Sequence, residues 1–205
     1  MGEAGEASGV EASGAVAAVS VLFWRRLDVA GLERLVLTMT PDGVTADSTV
    51  VCVEDGGFEL RHRWWLTPGW RAQRLEVERR GTGPTRRLRI ERAGAGWLVD
   101  GVPRPDLAGA EEPDLSVTPF CNTFPIRRMP AEAGAEHTLD TCYVDATAMT
   151  VERSRQQYVR LGQKRVRYVD LGVSAGFEAV LDVDDDGLVL RYEHLFERVR
   201  PETRP

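Results

Sequence analysis

The chain has 205 residues, 42% of them hydrophobic, and a net charge of −6 from 32 acidic against 26 basic residues. That length supports one sizeable core, and all-β units of this size are commonly one domain. The acidic balance argues against a broad nucleic-acid or anionic-membrane surface, which shows as net positive charge.

Lys164 is the one lysine among the basic residues, an arginine bias that reads as GC-rich coding rather than phosphate recognition. Cys52, Cys121 and Cys142 are odd in number and lack metal-ligand spacing. Isolated thiols of this kind fit a reducing cytoplasm better than a disulfide framework. No run is long and apolar enough for a transmembrane helix, so the expected location is cytoplasmic, with no cofactor and no metal.

Met1 to Ser20 is Gly, Ala, Ser and Glu, with Glu3, Glu6 and Glu11 where a signal peptide would be basic. Met-Gly at the start suggests myristoylation, but Glu6 stands where Ser or Thr is wanted. A disordered tail over 1–19 is expected, with the first strand beginning near Ala17 and a single domain over 20–200.

From Val21 onward the dominant period is two. Phe58, Leu60, His62, Trp64 and Leu66 alternate with Glu59, Arg61, Arg63 and Trp65, and later Phe177, Ala179, Leu181 and Val183 alternate with Glu178 and Asp182. Leu75 and Val77, then Leu88 and Ile90, follow the same rule against charged neighbours. Strands with one buried and one wet face read this way and are antiparallel. Asp42-Gly43, Asp55-Gly56, Asp100-Gly101 and Asp186-Gly187 suit tight hairpin turns. The first half is therefore a meander of about seven strands, from Leu22 to Val99.

Between Asp100 and Asp114 lies a connector with three prolines. Then comes the least regular stretch, Asp114 to Met129, which carries Pro119 and Pro125. Each proline removes a backbone donor and pushes its predecessor toward extended geometry. Thr118, Asn122 and Thr123 compete for backbone groups that a ladder would otherwise use. This stretch is expected to be a fixed crossing that plugs or rims the β structure, with one or two helical turns around Asn122–Arg128. Strands are expected to resume at His137–Val144, Ala148–Ser154, Gln157–Leu161, Lys164–Leu171, Phe177–Val183 and Leu188–His194.

The segment Thr118-Pro-Phe-Cys-Asn-Thr-Phe-Pro-Ile-Arg-Arg128 resembles the TP-x-TNTLPIRR signature of a bacterial family named "putative glycolipid-binding". Gly31-Leu32-Glu33, Trp97 before Asp100-Gly101, Gln157-Tyr158 and Asp186-Gly187-Leu188-Val189 with Tyr192 extend the resemblance from Trp24 to Arg198. The chain departs from the pattern at Cys121, where threonine is usual, and at Phe124, where leucine is usual. The resemblance implies a roll of antiparallel strands around a cavity for an amphiphile. The fold expected is thus all-β: an antiparallel spiral β-roll or half-barrel of about 12–15 strands, with a central irregular crossing and little helix.

Trp24, Trp64, Trp97, Tyr158, Tyr168 and Tyr192 are candidates for a surface that takes a lipid or a sugar ring, although β-propensity alone also places aromatics in a sheet core. Asn122 and Thr123, with Arg127 or Arg128, would meet a polar head; the arginines offer planar donors to phosphate, carboxylate or hydroxyl. The bland alternative for both is to hold carbonyls of the crossing or to pair with Asp114 or Glu132. Asp182-Val-Asp184-Asp-Asp186-Gly187 with Glu193 satisfies the EF-hand calcium pattern, but the flanking helices it requires have no room, so a hairpin turn is expected. Three functions remain open: a non-catalytic binder of an amphiphilic small molecule, an enzyme on a similar substrate, and a protein-interaction module. Asp114, Glu152, His62 and His194, with Cys121 as a thiol, are the groups an enzyme would use.

Overall fold

The structure is a computed structural model and describes residues 17–201. The expected tail therefore lies almost wholly outside the described residues. The first half is the hairpin series β1 (Ala18–Arg26), β2 (Gly31–Thr40), β3 (Gly43–Cys52), β4 (Phe58–Leu66), β5 (Ala72–Arg80), β6 (Arg86–Ala93), β7 (Gly96–Val99) and the short β8 (Val102–Pro103). Asp55 and Gly56 (φ 51° and 77°) and Asp100 and Gly101 (φ 52° and 80°) take the paired positive φ angles that Asp-Gly turns supply.

The crossing then contributes β9 (Glu112–Leu115), a 3₁₀ turn at Phe120–Asn122 and the short helix α1 (Thr123–Arg128), which continues directly from it. The second half runs β10 (Glu136–Asp145), β11 (Thr150–Gly162), β12 (Arg165–Asp170), β13 (Glu178–Val183), β14 (Val189–Tyr192) and β15 (Phe196–Val199). All belong to one sheet, ordered β8-β7-β6-β5-β4-β3-β2-β1-β15-β14-β13-β12-β11-β10-β9. The sheet is open, mixed and mostly antiparallel. Its two halves join at β1 and β15, where Trp24 pairs with Arg198, and its parallel step is β9 on β10.

Three details differ from the sequence reading. The break expected between Ser154 and Gln157 is absent, and β11 passes straight through. Ser154 and Gln156 point inward and are buried, so polar residues occupy core positions that the pattern assigns to apolar ones. β9 escapes the pattern because it contains Pro113, which an edge strand tolerates. β15 is only four residues long and follows a turn at Glu193–Leu195.

Inward side chains form two apolar clusters. One joins β1–β7 to Phe120, Cys121 and Phe124 of the crossing. The other gathers Tyr158, Tyr168, Leu181, Val189, Tyr192 and Phe196 from the second half, together with Ile126 of α1. Among the described residues, no helix is long and apolar enough to cross a membrane.

Candidate functional site

The crossing fills the first-half interior. Phe120 and Phe124 are fully buried, with ring centroids 5.1 Å apart, and Phe124 lies 5.2 Å from Trp64. Trp70, on a turn at φ 58°, closes the cluster from the other side, its ring 6.1 Å from that of Phe120. No opening is left there for a guest among the tryptophans. Trp24, Trp64 and Trp97 are buried and their indole N–H groups are used internally, on the carbonyl of Val189, Nδ1 of His62 and the carbonyl of Ala110.

The two arginines engage different partners within the protein. Arg128 meets the buried carboxylate of Glu112 at 2.7 Å and donates to the Trp70 carbonyl at 2.9 Å. Arg127 lies over the Trp70 ring, 4.4 Å from its centroid, and donates to the Asp186 carbonyl. Thr123 is fully buried behind them. The calcium-like sequence forms the β13–β14 turn, in which Asp184 Oδ1 accepts the N–H groups of Asp186 and Leu188 while its other oxygen pairs with Arg198.

Space remains on the second-half side of the crossing. A cavity of about 220 Å³ lies between the Asp114–Asn122 segment and the inner face of β12–β15. Tyr168, Tyr192, Phe177 and Phe196 form its aromatic wall. Tyr168 sits 5.7 Å from Tyr192 and 6.2 Å from Phe177, edge-on or tilted to each. Asp114, Asn122 and Asp170 supply polar groups on the same cavity. Of the residues singled out from sequence, Asn122, Tyr168 and Tyr192 therefore meet at one place, and Tyr158 stands directly behind them.

A buried network orients these groups. Asn122 Nδ2 donates to the Tyr158 hydroxyl at 2.8 Å, and that hydroxyl donates to Gln156 Oε1 at 3.1 Å. The Gln156 amide nitrogen then donates to Asp114 Oδ2. The Cys121 thiol donates to Asp114 Oδ1 at 2.9 Å. Asn122 is left with Oδ1 as the acceptor it can offer. Asp170 is held separately: Oδ1 accepts the N–H groups of Gly172 and Ser174, and Oδ2 accepts the Tyr168 hydroxyl at 3.3 Å. The loop after β12 must pass very close to β11 for this, since a Cβ at Gly172 would meet Ser154 Oγ at 2.3 Å.

Burial raises the pKa of Asp114 against the hydrogen bonds from Cys121 and Gln156, and the nearby charge of Asp170 adds to the rise. Burial and the adjacent Asp114 push the Cys121 thiol well up, so it stays protonated and acts as a donor. Tyr158, Tyr168 and Tyr192 are all raised, chiefly by burial, and keep their phenolic protons. Of the groups an enzyme was expected to use, Asp114 lines the cavity and Cys121 stands behind it, bonded to that carboxyl. His62 is buried on β4 against Glu33, at 3.0 Å, and Glu152 and His194 are exposed.

A pKa raised on folding has a defined consequence for stability. The folded protein retains the Asp114 proton where the unfolded chain, with an ordinary value of about 3.9, has released it. The stabilisation is complete below that value and is lost as pH rises through the folded value. The stability of Asp114→Asn relative to the parent should therefore increase as pH is raised from about 4 toward 8. Urea unfolding at fixed ionic strength measures this; a difference that stays flat with pH contradicts it.

A larger depression of about 580 Å³ lies over β2–β6. It is lined mainly by outward charges already engaged with each other, including Arg63 with Asp47 at 3.0 Å and Arg87 with Glu78 at 2.7 Å. Such a solvated, ion-paired face resembles an ordinary sheet exterior. The smaller cavity, with an aromatic wall and oriented polar groups, is the better candidate despite its size.

Residues 21–198 match the sequence model of a family described as "Putative glycolipid-binding". The chain belongs to this family. Its fold is also similar to the crystal structure of a DUF1089 family protein from Pseudomonas aeruginosa, 31% identical, with a TM-score of 0.72 over 82% of this chain and 92% of that one. A search of the curated proteins finds no match. Family membership thus extends over both halves of the sheet and the crossing between them, and includes every residue of the cavity.

Proposed function

We propose that the protein is a non-catalytic binder of an amphiphile, and that it holds the molecule by a polar, hydroxylated head seated between the crossing and the tyrosine wall. The observation that carries this reading is the preformed cavity, with aromatic faces on one side and oriented acceptors on the other. Rings of this kind pack on the apolar face of a sugar while their hydroxyls and the carboxylates meet its O–H groups. At about 220 Å³ the space is smaller than the ≈ 300–1,000 Å³ typical of pockets that enclose a whole drug-sized ligand. A head fits and the tail lies outside. The description of the family agrees with a glycolipid as the natural guest.

A catalytic role has less support, because no cysteine or histidine lines the cavity and the nearby Cys121 thiol, bonded to Asp114, is held protonated. Titration calorimetry with octyl glucoside tests the binding reading directly. The parent should bind, and Tyr192→Ala, which removes one wall of the cavity, should weaken binding about tenfold, the scale of one lost aromatic contact. Absence of binding by the folded parent protein, or equal affinity in the variant, would overturn it.

A further inference from the structure

The charge of the cavity says more about its guest than its shape does. Two carboxyl groups, Asp114 and Asp170, line it, and no arginine, lysine or histidine does. Many of the chain's acidic side chains pair with arginines, among them Asp140 with Arg153, Asp184 with Arg198 and Glu112 with Arg128. Among the described residues neither Asp114 nor Asp170 takes part in an ion pair, although Asp170 is buried and Asp114 is half-buried, where an uncompensated charge is costly.

The groups around these carboxyls are disposed to receive a donor. Asn122 spends its amide nitrogen on Tyr158 and has an oxygen left to offer. Tyr168, Phe177 and Tyr192 surround the space with π faces, 5.7 to 6.4 Å between ring centroids. Aromatic faces beside carboxylates are the arrangement that favours an ammonium group, through ring quadrupole and charge together. An ammonium seated beside Asp114 would draw its raised pKa back down and be held by the carboxylate so formed. An anion, by contrast, would find no cation in the cavity to offset its charge.

We propose that the head group seated in this cavity carries an ammonium, as an amino-substituted sugar would, and that an anionic head is excluded. The inference rests on the cavity being the head-group seat, and it narrows the chemistry of that seat. The ammonium lies between Asp114 and Asp170, within reach of Asn122 Oδ1, and its ring packs against Tyr168 and Tyr192.

The test compares three amphiphiles with the same octyl chain, bearing glucose, 2-amino-2-deoxyglucose or glucuronate, titrated into the parent protein at pH 6.5. The amino head should bind about tenfold tighter than the neutral one, and the glucuronate should show no binding at the highest concentration reached. Asp114→Asn, checked for its fold by circular dichroism, should lower the amino affinity more than the neutral affinity, so that the ratio of the two falls toward one. Asp170 is left intact because it also holds the following loop. If the neutral head binds as well as the amino head, or the anion binds at all comparably, the charge proposal fails while the head-group reading stands. If none of the three binds, both fail.

Discussion

Phe124→Ala should lower the free energy of unfolding by about 3–5 kcal/mol, the range for deleting a fully buried aromatic ring. Phe124 is where the crossing meets the sheet: it is completely buried and lies within 5.1–6.4 Å of the rings of Phe120, Trp64 and Trp70. Those partners come from three separate segments, so the cavity left behind cannot be closed by moving one of them. Urea denaturation should show the loss as a lower midpoint with a similar slope. Because the plug braces Asn122 and Cys121 as well, the surviving folded fraction should also bind less well. A cost below about 1 kcal/mol would mean that the interior is not filled as described.

The second large effect is expected at Arg128. Its guanidinium, on the last turn of α1, faces Glu112 of β9, which is 1% exposed and also accepts the N–H of Ala72 at 2.8 Å. Burial raises the Glu112 pKa even with Arg128 beside it, so the arginine only partly offsets the cost of enclosing that carboxyl. Arg128→Ala should destabilise by about 3–5 kcal/mol, because it strands a buried charge and leaves the Trp70 carbonyl without its donor. The double variant Arg128→Met with Glu112→Gln should recover a large part of that loss, since removing both charges also removes the desolvation cost. Equal destabilisation by the single and double variants would show that the contact is packing rather than charge.

Much of this fold is legible from the alternation of residues along the chain. The period of two and the Asp-Gly pairs are local signals, and each hairpin from β1 to β7 obeys them because its strands have one core face and one solvent face. The crossing could be recognised as irregular from its two prolines, and its short helix falls where the residues allow it. What the pattern misses is the stretch where β11 carries Ser154 and Gln156 inward. With those polar residues inward, the sequence reads as two strands, ending at Ser154 and resuming at Gln157, yet Ser154 and Gln156 hold the Gly172 loop and Asp114 in place. A conflict between local pattern and strand identity often marks a site, and here it marks the support for the cavity.

The candidate cavity is half visible in the sequence. Asn122, Tyr168 and Tyr192, all singled out there, line it, and the resemblance directs attention to the first of them. Asp170 and Phe177 gave no signal, because one reads as the end of a strand and the other as an ordinary inward residue. Trp24, Trp64 and Trp97 look alike in sequence to a ligand platform and to a core. Only three-dimensional placement, with each indole N–H bonded inside the protein, separates the two. Arg127 and Arg128 were ambiguous for a similar reason: the acids that engage them, Glu112 and Asp186, are distant in the chain or lie across the sheet.

The most direct test of the head-group seat is a titration of ¹⁵N-labelled protein with octyl glucoside, followed by backbone amide shifts. The largest changes should fall on Ser116, Asn122, Tyr168, Asp170, Ser174 and Tyr192, on both sides of the 220 Å³ cavity. Changes confined to Arg34, Arg61, Arg63 and Arg89 would place the guest in the outer depression instead and contradict the account.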